Sequence, residues 1–159
     1  MKIYYKLLII LFLFSFSASP KPEIKILNFD QFKSYLHKDD GQVYVINFWA
    51  TWCKPCVEEL PAFEKLNAEY RQNGVKVILV SLDEIELVET KLKSFISKKG
   101  LKSEVILLDD PDFNSWINQV NLKWTGAIPA TLVYKGKNSS FHEGSLDYKQ
   151  LLKMVKSKL

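Results

Sequence analysis

The order of apolar runs along this 159-residue chain predicts an α/β layer fold built on a mixed sheet. Two observations carry that expectation. The runs 43–49 and 75–82 are near-continuous stretches of β-branched, aromatic and aliphatic residues, the composition of strands buried on both faces. Around them lie segments whose apolar residues recur at spacings of three and four, the period of a helix with one buried face.

The elements can be taken in chain order. Residues 23–27 read as a short first strand, after which Asn28 or Asp30 caps a helix through Phe32, Tyr35 and Leu36 that ends near Asp39-Asp40-Gly41. The run from Val43 to Trp49 is the central strand. A helix opens at Trp52-Cys53-Lys54-Pro55-Cys56, continues through Val57, Leu60, Phe63, Leu66 and Tyr70, and stops at Asn73-Gly74. Residues 75–82 make the next buried strand, 87–99 a helix with apolar Leu92, Phe95 and Ile96 closed by Gly100, and 105–108 a further strand. Asp109-Asp110-Pro111-Asp112 caps a short helix through Trp116, Ile117 and Val120. Residues 131–134 pair with Phe141-His142 across the turn at Lys135-Gly136-Lys137, and a last helix runs from Asp147 through Leu151, Leu152 and Val155.

Composition narrows the function classes. With 47% hydrophobic residues the chain has apolar mass for one domain with a single core. Its net charge of +4 is spread along the sequence and forms no basic stripe, so nucleic acid is not an expected partner.

The first residues differ in kind. Met1-Lys2-Ile3-Tyr4-Tyr5-Lys6 is a basic start, followed by an apolar run at 7–14 and then Ser15-Phe16-Ser17-Ala18-Ser19-Pro20. This is the layout of a secretory signal, and the run is shorter than the roughly 20 residues of a membrane span. The expected organisation is a signal peptide or N-terminal anchor at 1–19 and one domain at 20–159, exported to the periplasm or another extracytoplasmic site. Membrane contact would come only through that segment, if it is retained.

The only two cysteines, Cys53 and Cys56, lie where the central strand gives way to a helix. Unpaired N–H groups and the positive dipole end at a helix start favour a thiolate over a thiol. With no third cysteine, the pair bonds to itself or to another molecule. Their short loop gives a disulfide little value as a staple, and disulfides persist outside the cytoplasm. The placement points to thiol–disulfide exchange, with an inert disulfide and a two-thiolate metal clip as the competing readings. His37 and His142 are far from the pair in sequence and lack metal-ligand spacing, so no metal is expected.

The segment Phe48-Trp49-Ala50-Thr51-Trp52-Cys53-Lys54-Pro55-Cys56 resembles the active-site segment of the thioredoxin superfamily. Ile128-Pro129-Ala130-Thr131 resembles that family's cis-proline loop, and Pro61 matches the proline that kinks its active-site helix. The additional helix and strand between about Asp83 and Asp110 resemble the insertion of the TlpA/ResA-type branch, which is exported or membrane-tethered and acts on disulfides. The resemblance implies a thioredoxin-like fold: a central mixed β-sheet flanked by helices, with an inserted α/β unit between the third strand and the cis-proline loop. It implies a protein disulfide reductase whose redox centre is the Cys53-Cys56 disulfide, with no other cofactor. Cys53 would be the attacking thiolate and Cys56 the resolving thiol. Lys54 adds a positive charge, and Pro55 suits an early helical position. Pro129, cis to Ile128, would sit beside the cysteines, where the backbone of Ile128 receives an extended substrate strand. Trp52 would shield Cys53 and contact partners, whereas Trp49 and Trp124 read at least as well as core packing.

Two further positions concern protons. Glu59 lies three residues after Cys56 on the same helix face. It matches the glutamate of ResA-like proteins that manages protons on the cysteines, and burial would raise its pKa toward a useful range. The residues alone leave open that Glu58 and Glu59 are simply a solvated pair. Thioredoxins proper carry a buried aspartate where this chain has Asn47, which cannot take a proton. The implied partners are disulfide-containing protein substrates, apocytochrome c among them, and a membrane thiol reductant as electron donor. Two alternatives share the fold. Thiol peroxidases use a Thr-x-x-Cys site, and Sco-like copper-binding metallochaperones place three residues between their cysteines and add a histidine.

Overall fold

The computed structural model describes residues 23–159, so the expected signal or anchor at 1–19 lies outside the described residues. Six strands form one sheet: β1 (Lys25–Leu27), β2 (Val43–Trp49), β3 (Val75–Ser81), β4 (Glu104–Leu108), β5 (Ala130–Lys135) and β6 (Asn138–Glu143). Their spatial order is β1-β4-β3-β2-β5-β6. The first four run parallel to one another, while β5 is antiparallel to both β2 and β6, which makes the sheet mixed.

Every residue of β2 is buried, because both faces of the sheet are covered. Alternate side chains divide the core in two. Val43, Val45 and Trp49 join Leu60, Phe63 and Leu66 of α2 (Lys54–Tyr70), Ile96 of α3 (Lys93–Lys99) and Leu151 and Val155 of α5 (Tyr148–Lys156). Tyr44, Ile46 and Phe48 join Phe29 and Phe32 of α1 (Phe29–Phe32) and Trp116 and Val120 of α4 (Phe113–Val120). Between β3 and β5 the chain builds α3, β4 and α4, with β4 inserted in the sheet between β1 and β3. Pro61 lies inside α2, where it removes one helix hydrogen bond.

Three local expectations change in detail. The first helix is a single α-turn followed by a 3₁₀ turn, Lys33–Tyr35, whose three-residue period stacks Tyr35 on Phe32 at 5.8 Å. Its cap is Asn28, in a reciprocal box with Gln31, and not Asp30. The expected helix at 87–99 is composite: a 3₁₀ turn at Ile85–Leu87, a π turn at Val88–Leu92, then α3. Buried Val88, Leu92 and Ile96 recur every four residues, which an α-helix would rotate by about 40° per step; the wider turn rotates the first step the other way, so the drift does not accumulate along the three. Asp112 stands at the start of α4 but its side chain caps nothing, while the Asp110 carboxyl turns to accept from Phe29 N at 3.1 Å.

Candidate active site

The parallel ends of β2 and β3, the start of α2 and the start of β5 meet at one end of the sheet, with Trp49 opposite Ser81 and Phe48 opposite Ala130. Cys53 is the N-cap of α2 in extended conformation, and its Sγ accepts from Cys56 N at 3.3 Å. The two cysteines are joined as a disulfide. Cys53 keeps 6% of its surface exposed and Cys56 none, so only the outer sulfur's residue reaches solvent. The Ile128–Pro129 peptide bond is cis, and Ile128 O lies 3.8 Å from Cys53 Sγ. Trp52 is 61% exposed and stands as an apolar surface next in sequence to Cys53.

The loop before Pro129 is tied down from three sides. Glu143 accepts from Thr125 N and Thr125 Oγ1, both at 2.7 Å, and these bonds hold its carboxyl below the usual range. Trp124 Nε1 donates to Ala127 O at 2.9 Å, and Gly144 N to Pro129 O at 2.8 Å. The Trp124 ring is buried against Phe48 at 4.6 Å, so it anchors the loop in the core and does not line a groove. Trp49 is likewise buried, packed on Phe95. Lys54 directs its ammonium toward Glu58 at 3.9 Å on the solvent side of α2, and Pro55 occupies the first turn of that helix.

Glu59 and Asn47 meet beneath this surface. Glu59 is 5% exposed, which removes it from the solvated pair with Glu58. Its Oε1 accepts from Asn47 Nδ2 at 2.8 Å and its Oε2 from Leu146 N at 2.7 Å. Burial pushes the Glu59 carboxyl up to about 7, against the downward pull of those two hydrogen bonds. Asn47 Nδ2 also donates to Thr131 Oγ1 at 3.2 Å, directly across the β2–β5 pair, and Asn47 Oδ1 is buried without a partner. Thr131 and Leu146 were invisible as site residues in the sequence, since only strand register and the approach of α5 bring them here. Asp83 is equally silent in the sequence, where it is the first of the acids in Asp83-Glu84-Ile85-Glu86 that follow the apolar run of β3.

Of the two histidines, His142 neighbours this centre through the sheet and His37 does not. His142 lies in β6, paired with Thr131, and His37 helps line a cavity of about 470 Å³ at the far end of β5 from Pro129. Among the described residues no group of three or more His, Cys, Asp or Glu is placed to hold a metal ion.

Residues 18–138 match the AhpC/TSA family. The chain belongs to that family. It is 31% identical over 130 residues to the thioredoxin-like protein YneN of Bacillus subtilis, covering 82% of this chain and 73% of that one. It is 33% identical over 86 residues to the thiol-disulfide oxidoreductase ResA of Bacillus thuringiensis, covering 54% of this chain but only 48% of the relative, about half its length. The fold matches a thioredoxin-family thiol:disulfide interchange protein from Chlorobium tepidum, with a TM-score of 0.63 at 22% identity over 79% of this chain and 83% of that one. This AhpC/TSA protein of thioredoxin-like fold thus carries a Cys-x-x-Cys pair joined as a disulfide, and the relatives it matches include proteins named thiol-disulfide oxidoreductases.

Proposed function

We propose that this AhpC/TSA protein is an exported reductant of protein disulfides that works through a dithiol/disulfide cycle. The observation that carries the reading is the unequal burial of the two cysteines: Cys53, the N-cap of α2 beside Ile128 O, keeps 6% of its surface exposed, and Cys56 keeps none. In the reduced protein the Cys53 thiolate attacks a substrate disulfide, forming a mixed disulfide and expelling one substrate thiolate. Cys56 then attacks Cys53 Sγ, which expels the second substrate thiolate and closes the Cys53–Cys56 disulfide. Two electrons have passed to the substrate, and a membrane thiol reductant returns them. No cofactor beyond the cysteine pair takes part.

The other site residues support these steps. Unpaired N–H groups at the start of α2 stabilise the Cys53 thiolate, with Lys54 adding to the positive field. The backbone of Ile128, next to Pro129, pairs with an extended substrate segment, and exposed Trp52 packs on it. Glu59 exchanges a proton with the cysteine pair, and Asn47 holds the Glu59 carboxyl in place. Export rests on the basic-apolar-small pattern of residues 1–19, because no helix among the described residues is long and apolar enough to cross a membrane. Apocytochrome c is one substrate of suitable chemistry. Peroxide chemistry is disfavoured by Ala50, which stands where a Thr-x-x-Cys site ending at Cys53 needs threonine.

Trapping from intact cells tests the roles. Cys56→Ser should accumulate mixed disulfides through Cys53, and Cys53→Ser should accumulate none. Equal trapping by both variants, or none by either, overturns the assignment.

A further inference from the structure

We propose that Asp83 is a positioning residue for the redox pair, clamping the turn that presents Cys53. β2 and β3 end side by side, and Leu82 N donates to Trp49 O at 2.8 Å beyond the last paired residues. Thr51 and Asp83 therefore leave the sheet together, each two residues past the Trp49–Ser81 pair. The Asp83 carboxyl is buried, and it accepts from Thr51 N at 3.0 and 3.2 Å and from Thr51 Oγ1 at 2.5 Å. Ser81 braces it from behind, with Oγ donating to Asp83 Oδ2 at 2.8 Å and accepting from Asp83 N at 3.1 Å.

Thr51 is the second residue of the turn from Ala50 to Cys53, which Cys53 N closes on Ala50 O at 3.2 Å. Trp52 occupies the next position and Cys53 the N-cap, so the link between sheet and helix is gripped at Thr51 through both main chain and side chain. Burying a carboxyl among neutral donors is costly, and a connection needing only closure has main-chain bonds to supply it. What the clamp adds is direction. It sets where Cys53 Sγ lies relative to Ile128 O, 3.8 Å away, and hence relative to a strand paired there. Disulfide exchange needs the reacting sulfurs aligned, so a turn free to swing slows attack on a substrate held at Ile128 more than attack on one that diffuses freely.

This inference rests on Cys53 as the attacking thiol, and the test separates the two. Full-length protein, reduced beforehand, is mixed with insulin as the protein disulfide and with oxidised glutathione as the small one. Thr51→Val keeps the side chain's shape but loses the hydroxyl donor, Thr51→Ser retains it, and Asp83→Ala removes the clamp. Asp83→Ala and Thr51→Val should slow insulin reduction about tenfold while changing the glutathione reaction less than about threefold. Thr51→Ser should react like the parent, and adding Thr51→Val to Asp83→Ala should cost nothing further. Asp83→Asn, with the same expected selectivity, stands in if Asp83→Ala does not fold. Unchanged insulin rates, or equal slowing of both substrates, overturns the proposal and leaves Asp83 a structural staple. Residual insulin reduction by Cys53→Ser would instead overturn the reading of Cys53, whatever the Asp83 variants do.

Discussion

Glu59 holds a carboxyl that is largely withdrawn from water, with one main-chain and one side-chain donor as compensation. Burial outweighs both donors and lifts its titration from 4.5 to about 7. Between those values the folded protein holds a proton that the unfolded chain has released. The contribution to stability is therefore fully present below about pH 4.5 and is lost as pH rises through about 7, a swing on the order of 3 kcal/mol. Glu59→Gln cannot titrate. Denaturant unfolding of the oxidised proteins should show the parent losing stability between pH 5 and pH 8 while the Gln variant stays nearly level. Parallel curves would mean that Glu59 does not carry this proton. The same titration near neutrality suits a group that passes protons to and from thiols.

The elements that surround Glu59 differ in how visible they are in sequence. α5 begins with Asp147 accepting from Gln150 N at 2.8 Å and Gln150 Oε1 accepting from Asp147 N at 2.9 Å, and the residue just before, Leu146, donates to Glu59. Asp147→Ala should destabilise the fold by about 1 kcal/mol, read as a shift in denaturation midpoint at constant slope, and should raise the Glu59 titration as the Leu146 donor loosens. A midpoint shift with no change at Glu59 would separate the cap from the site. The start of α5 at Asp147 and the buried β2 run were legible because a cap and an apolar run are local signals. The cysteines, Pro129 and Glu59 were legible for the same reason, each standing in or near a short motif. Thr131, Leu146 and the Thr51–Asp83 clamp were not, because their partners are 84, 87 and 32 residues away. Strand register brings them together, and register is decided by which faces of the whole sheet are buried. The composite nature of the helix from Ile85 to Lys99 is not legible in the sequence, because a four-residue apolar spacing fits an α-helix almost as well as a π turn.

Across the whole molecule, the disulfide and the fold are coupled through one thermodynamic cycle. The two cysteines are three residues apart, so their cross-link restricts the unfolded chain by only about 2 kcal/mol. Reduction recovers part of this, because a Cys53 thiolate at the start of α2 gains about 0.3–1 kcal/mol from the helix dipole. Against that gain, reduction leaves Cys56 fully buried, where the low dielectric favours the neutral thiol and adds no stabilising charge. On these two contributions the oxidised form is expected to be the more stable by about 1 kcal/mol. Stability and potential are then fixed together: every 1.4 kcal/mol by which the oxidised fold is the more stable lowers the potential of the pair by about 30 mV relative to the same pair in the unfolded chain. A reductant requires this sign, and an oxidant requires the opposite one. Guanidinium unfolding at pH 7, with and without excess dithiol, should therefore place the oxidised midpoint above the reduced one, and equilibration with glutathione should return a potential displaced by about 20 mV in the matching direction. A reduced form more stable than the oxidised one would reverse the proposed flow of electrons and make this cysteine pair a donor of disulfides.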